Sequence, residues 1–283
     1  MPPTSDPESP VARIPVPIDT QAPGGTTNAY VAGGLLVDPA ARTDALDAAV
    51  GVAGHAREQA DETPIDVVAV THTHPDHVGA VAEYAELTGA PVLAHADHVG
   101  RFAEATGVEP DETFEGGEPV GDTAVRAVDT PGHAPDHVAF AVGPTDEDGS
   151  DDTAEPRALL CGDLAVAEGS VAVGAPEGDL REYLHSLERV RDAGYDRLYP
   201  GHGPVIDAPA AVCDRLIDHR LDRERAVLAA VEGGATDVDA VVDAAYEKDL
   251  TGVADLARAT VVAHLEKLAA EGRIDGSWCD PPP

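Results

Sequence analysis

Lysine is almost missing from this chain. Of 283 residues only Lys248 and Lys267 are lysines, and 18 basic residues face 53 acids for a net charge of −35. Such a balance argues against a general polyanion-binding surface, because contacts with nucleic acid need local positive charge to displace counterions. It reads instead as a protein of a high-salt cytoplasm, where a Debye length of about 3 Å at 1 M salt leaves little self-repulsion. Large aromatics are scarce too, with three Phe and one Trp. At 43% hydrophobic the chain still builds a core, but from Ala and Val. Three cysteines, Cys161, Cys213 and Cys279, are odd in number and far apart, which excludes a disulfide framework and fits a reducing interior. No run of about 18 apolar residues occurs, so no membrane span is expected. The N-terminus lacks the basic start and apolar stretch of a signal peptide, and a cytoplasmic location is expected.

The pattern along the chain is layered. Seven prolines in residues 1–23 predict an extended or poorly ordered lead-in. Residues 28–38 read as two strands around Gly33-Gly34, a hairpin signal. A helix is predicted over 42–59, a buried strand over 65–70, a helix over 76–88, a strand over 91–94 and a short helix over 97–105. Strands follow at 122–129, 137–143 and 157–161, then a helix at 179–193 and a strand at 197–199. Residues 145–156 carry six acids in twelve and read as a solvated loop. From about 207 the pattern turns helical, over 207–232, 236–247 and 253–271. The chain therefore divides into a lead-in (1–23), an α/β domain (24–206) and a small helical unit (207–283).

What is present in unusual density is histidine. Residues 71–80, Thr-His-Thr-His-Pro-Asp-His-Val-Gly-Ala, place His72, His74, Asp76 and His77 within six positions. Four adjacent polar side chains at the end of an apolar strand cannot all be buried without partners, and divalent metal ions supply them. Three further motifs each put one metal-competent side chain in a tight turn after an apolar strand: Thr130-Pro131-Gly132-His133, Cys161-Gly162-Asp163-Leu164 and Tyr199-Pro200-Gly201-His202-Gly203. Glycine and proline let such turns approach closely and hold a ligand rigidly.

Taken together, the His-x-His-x-Asp-His run followed by His133, Asp163 and His202 resembles the metallo-β-lactamase superfamily. The resemblance implies an αββα sandwich with a small C-terminal winged-helix-like domain. It implies that His72, His74 and His133 hold one metal, that Asp76, His77 and His202 hold a second, and that Asp163 bridges them. Imidazole and carboxylate ligands suit Zn²⁺, with Mn²⁺ or Fe²⁺ as alternatives. Two ions about 3.5–4 Å apart would share a hydroxide, the nucleophile, with Asp76 and Asp163 as the catalytic carboxylates. Asp163, where the commonest antibiotic-degrading branch has a Cys nearby, points away from antibiotic hydrolysis, and Cys161 reads as strand packing.

Thr27-Asn28-Ala29-Tyr30-Val31, Ser186-Leu187-Glu188 and the His219–Arg225 run resemble a branch that includes a β-lactamase-like endoribonuclease acting on single-stranded RNA. Ala80 stands where the family usually has a second Gly. Two substrates compete: a thioester or ester, as for a hydroxyacylglutathione hydrolase (glyoxalase II), and an RNA phosphodiester. A non-catalytic metal-binding scaffold is the third reading, and the complete ligand set opposes it. His95, His98, His55, His185 and His264 read as structural or surface residues, and His137 is divided between a structural and a site role. Arg220, Arg223 and Arg225 are divided between a phosphate-binding face and helix-surface pairing with Asp218, Asp222 and Glu224, the pairing being preferred. Residues 232–272 hold more acids than bases, so the helical unit is expected to serve as a homodimer or lid element rather than a nucleic-acid reader.

Overall fold

A computed structural model of the chain describes residues 10–19, 24–52, 65–143, 157–246 and 250–279. The chain forms two compact units. The first gathers Met1–Asp129, Asp136–Glu168 and Tyr195–Pro209, and the second Thr130–Pro135, Gly169–Gly194 and Ala210–Pro283.

Two four-stranded sheets build the first unit. One has the order β1 (Val11–Pro17), β2 (Thr26–Ala32), β3 (Leu35–Val37), β4 (Val67–Ala69). The other runs β10 (Arg197–Pro200), β9 (Ala158–Gly162), β8 (Val138–Val142), β7 (Arg126–Asp129). A two-stranded parallel pair, β5 (Leu93–His95) and β6 (Glu112–Phe114), completes the strands. The β2–β3 hairpin turns on Gly33 and Gly34 at φ +52° and +85°, the left-handed pair that a two-residue turn between twisted strands demands.

Strand β1 lies within the expected lead-in and takes its extended form. Residues 11–17 pair antiparallel with β2 from Val11–Ala32 to Pro17–Thr26, and Val11, Ile14 and Val16 are buried. Pro15 and Pro17 are tolerated because β1 is an edge strand, where a missing N–H removes no ladder bond. The parts of the lead-in at 1–9 and 20–23, the 53–59 portion of the predicted first helix with His55, and the acidic 145–156 stretch lie outside the described residues.

Alternation of side chains gives the first sheet two buried faces. Tyr30, Leu35, Val37 and Val67 share a core with Ala127, Val138, Phe140 and Leu160 of the second sheet. From the opposite face Ile14, Ala29, Leu36 and Val68 join Leu46, Val81, Tyr84 and Phe102. Those four come from α1 (Asp44–Ala49), α3 (Val81–Thr88) and α4 (Val99–Thr106). The helix expected over 76–88 is broken into α2 (Pro75–Val78) and α3. The cause is the neighbouring chain: a Cβ on Gly79 would lie 2.4 Å from the Ala40 carbonyl oxygen, and Ala80 N–H donates to Pro39 O rather than up its own helix.

Helices make the second unit: α5 (Leu180–Asp192), α6 (Pro209–Glu232), α7 (Val238–Ala245) and α8 (Ala254–Ala270). Asp179 caps α5 by accepting from the Arg181 and Glu182 amides, and Asp237 caps α7 through Ala240 N–H. Val227, Val241, Val242, Val261, Leu265 and Leu268 form the core of the C-terminal helices. Arg220 and Arg223 are not surface partners of the neighbouring acids. Arg220 is 4% exposed, donates to Val171 O and lies over the Tyr183 ring, while Arg223 donates to Ala245 O and covers Tyr246 at 3.7 Å. Only Arg225 pairs as expected, with Asp222. Glu224 is buried instead, held by Lys267 and Arg273 at 2.6 Å each. A helix period cannot distinguish these faces when both α7 and α8 pack on α6.

Candidate metal centre

Strand β4 delivers the ligand run. It ends at Ala69, and the next residues turn out of the sheet, so His72, His74, Asp76 and His77 leave from one strand end and the first turn of α2. Register brings the remaining groups of this unit to the same edge. Parallel pairing of β9 with β10, with Pro200 beside Gly162, sets Gly201 and His202 next to Asp163.

Within the first unit two sets of three ligand atoms lie within 4.8 Å of one another: His72, His77 and Asp163, and Asp76, His77 and His202. Asp163 Oδ1 is 3.7 Å from His77 Nε2, and Asp163 Oδ2 is 3.4 Å from His202 Nε2. Asp76 Oδ2 is 3.6 Å from His202 Nε2. His72 Nε2 and His74 Nδ1 stand 2.9 Å apart. His133 belongs to the second unit, on the loop 130–135, where Nδ1 is 2.7 Å from the Ala172 carbonyl. That loop is fastened to α5: Asp179 N–H donates to Gly132 O, and Ser186 Oγ donates to Pro131 O.

The far nitrogens of these rings are already assigned. His77 Nδ1 donates to Asp38 Oδ2 at 2.9 Å, and His202 Nδ1 to Thr26 O at 2.9 Å. Thr71 Oγ1 donates to Asp38 Oδ2 and therefore accepts from His72 Nδ1 at 3.1 Å. Engaging Nδ1 directs the Nε2 lone pair into the cluster, the arrangement that orients imidazole for a metal.

Asp38 is the residue that sequence reasoning missed. It is wholly buried, accepts from Thr71 N–H at 2.7 Å and Thr71 Oγ1 at 2.8 Å as well as from His77, and adopts φ +51°. A single Asp closing an apolar strand before a proline was the available signal. Left-handed backbone at a non-glycine residue is uncommon and is held here by those three bonds. His137 also joins the site: it is buried and its Nε2 accepts from Asp163 N–H at 3.0 Å. His95 and His98 do not join it; His95 sits 3.2 Å from Asp129 Oδ1. His185 is exposed on α5, and His264 is buried on α8.

Electrostatics and orphaned atoms fit a cation. Burial alone would lower the pKa of His77, but Asp38, Asp163 and Asp76 outweigh it and push it up to about 9. For His202 burial likewise opposes charge, and Asp163 reverses it to a net rise. The edge thus favours positive charge, whether protons or metal. His77 Nε2 is fully buried and has no hydrogen-bond partner among the described residues, the state expected of an atom kept for a ligand. An imidazole and carboxylate donor set of this kind suits divalent zinc, iron or manganese.

The family model of the metallo-beta-lactamase superfamily matches residues 22–202. The chain belongs to the metallo-beta-lactamase superfamily. A Drosophila melanogaster protein named beta-lactamase-like protein 2 homolog is 30% identical over 236 residues, covering 76% of this chain and 72% of the relative. An Aspergillus fumigatus protein named atrochrysone carboxyl ACP thioesterase is 33% identical over 172 residues, covering 59% of this chain and 48% of the relative. The chain spans about half the length of that thioesterase and of a Caenorhabditis elegans protein sharing the first relative's name. Among solved structures, a metallo-beta-lactamase family protein of Thermus thermophilus superposes with a TM-score of 0.67 at 26% identity, covering 93% of this chain and 94% of that one. Family membership and the element order agree on an α/β fold of this superfamily with a helical C-terminal region. No helix of the described residues is long and apolar enough to cross a membrane.

Proposed function

We propose that this chain is a dinuclear metal-dependent hydrolase acting on a thioester or related carboxylic ester. One observation carries the metal part: His77 and its neighbours form two overlapping ligand sets at one sheet edge, with His77 common to both. Asp76, His77 and His202 are assigned to one ion. His72 and His74 are assigned to the other, His133 joins them on the strength of the family motif, and Asp163 serves both. Zn²⁺ is the first choice for this donor set. When bound, such ions supply Lewis acidity and lower the pKa of water toward neutrality. The chain itself orients that chemistry. Asp38, Thr71 and the Thr26 carbonyl hold the rings with Nε2 inward, and Asp76 and Asp163 present carboxylates at the same edge.

The ester reading is favoured over RNA for two reasons. A net charge of −35 opposes binding of a polyanion, and one relative is named a thioesterase. The C-terminal helices α6 to α8 are read as the winged-helix-like element of the branch. A homodimer and a cytoplasmic, high-salt setting complete the proposal.

The test is an assay of the full chain in molar salt with Zn²⁺ or Mn²⁺ against S-lactoylglutathione-type thioesters, a chromogenic phosphodiester and single-stranded RNA. Thioester turnover with about two ions per chain is expected. Cleavage of RNA alone would move the assignment to the endoribonuclease reading. No turnover with less than one ion per chain would leave a scaffold. Asp163→Ala is expected to lower ion content and abolish turnover; unchanged activity in that variant would remove Asp163 from its assigned place.

A further inference from the structure

Asp163 is held from two directions, and only one of them is its carboxylate. Its side chain faces His77 and His202. Its backbone N–H donates separately to His137 Nε2 at 3.0 Å. A peptide N–H can only donate, so Nε2 must carry a lone pair and a neutral His137 ring must bear its proton on Nδ1. We infer that His137 is a positioning residue, whose Nε2 fixes the turn that aims the Asp163 carboxylate at the histidine cluster. This inference rests on the dinuclear reading above.

The surrounding geometry makes that turn a rigid one. Strand β8 pairs antiparallel with β9, Phe140 opposite Leu160, and continuing this register places residue 137 beside residue 163. Gly162 takes φ +48°, and a Cβ there would lie 2.7 Å from Thr71 Oγ1 and 2.8 Å from His137 Nε2. The turn is therefore pressed between the residue preceding the ligand run and the imidazole. Val138 N–H donates to Thr71 O at 2.8 Å, tying the start of β8 to the same place. Gly201 closes the opposite side: its N–H donates to Gly162 O, and a Cβ on it would lie 2.4 Å from Asp163 Oδ1. Asp136 is anchored in turn, since Arg101 Nε donates to its Oδ1 at 3.0 Å and to Thr73 Oγ1 at 2.8 Å. Residues 136 and 137 are thus bound both to the run that holds His72 and His74 and to the turn that holds Asp163. A histidine serving only to fill the core would need neither its acceptor atom nor this linkage.

The experiment compares the full chain with His137→Phe, which keeps a ring but loses the acceptor, and His137→Gln, whose amide oxygen restores it. Each metal-free protein is titrated with Zn²⁺ against a chromophoric chelator and with Co²⁺ for its visible spectrum, and chemical unfolding checks the fold. His137→Phe is expected to bind at least one ion about 10–100-fold more weakly, the usual effect of removing a partner that orients a ligand. Its cobalt spectrum should change, and His137→Gln should recover both properties. A folded His137→Phe that matches the parent in affinity and spectrum overturns the inference alone. A folded His137→Gln that fails to recover them does the same. A parent that takes up no ions overturns the dinuclear reading and this inference with it. Long-range ¹H–¹⁵N spectra of the metal-free parent test the hydrogen bond without any substitution in the measured protein. His137 is expected as the Nδ1–H tautomer, and an Nε2–H tautomer would refute the assignment.

Discussion

Asp38→Asn isolates one charge behind the candidate metal centre without disturbing the backbone. Asparagine tolerates the left-handed φ of +51° about as well as aspartate does. Its Oδ1 can still accept from Thr71 N–H, now served at 2.7 Å. Its amide nitrogen, however, replaces Oδ2, which accepts from both Thr71 Oγ1 and His77 Nδ1. An amide N–H facing an imidazole N–H is repulsive, so a neutral His77 ring relieves it by carrying its proton on Nε2. That atom faces Asp163, and a proton there competes with a metal. Restoring the binding tautomer means leaving a buried donor unpaired, at about 1–3 kcal/mol. Since about 1.4 kcal/mol is tenfold, metal affinity should fall by about 10–100-fold. Chelator competition on the metal-free proteins measures the affinity, and histidine side-chain ¹⁵N shifts recorded above pH 9, where the ring is neutral, report the tautomer. Unaltered affinity with His77 still protonated on Nδ1 would refute the account.

Three further outcomes follow from particular residues. His77, raised to about 9, binds a proton more tightly folded than unfolded, so its contribution to metal-free stability is full below pH 6.5 and is lost as pH rises through 9. Denaturant midpoints of the metal-free chain should fall across that window, and less so in His77→Gln; identical profiles would count against it. His264 behaves oppositely: burial, then Arg220, Arg223 and Lys267, push its pKa down to about 3, so stability is lost as pH falls below 6.5 toward that value. Both of its ring nitrogens lack hydrogen-bond partners among the described residues, so His264→Phe should flatten the acid limb of the stability profile, and an unchanged limb argues against the assignment. Gly132→Ala should destabilise the chain by about 1–3 kcal/mol from its φ of +125° alone, and by more because the new Cβ would meet Tyr183 N at 2.2 Å; thermal unfolding of a variant as stable as the parent would disprove this.

The hairpin at Gly33-Gly34, the helices of the second unit and the cluster of metal-competent side chains at His72–His77 were legible because each is a local pattern. A strand that ends in four metal-competent side chains marks a candidate cation site within six residues, and turns such as Gly201-His202 mark themselves by composition. Strand β1 was hidden by its prolines, whose tolerance depends on which strand occupies the sheet edge. The outward or inward face of Arg220 depended on helices more than twenty residues away.

What residue order alone determined, then, was the donor chemistry and the strand-then-turn frames that carry it. Tertiary structure decided which atoms those donors aim. Parallel pairing of β3 with β4, Val37 beside Ala69, is what carries Asp38 to Thr71 and His77. Antiparallel pairing of β8 with β9 is what sets His137 behind Asp163. Hydrogen bonds of that kind join residues 26 to 39 positions apart, and strand register, which no local pattern encodes, is the physical variable that selects them.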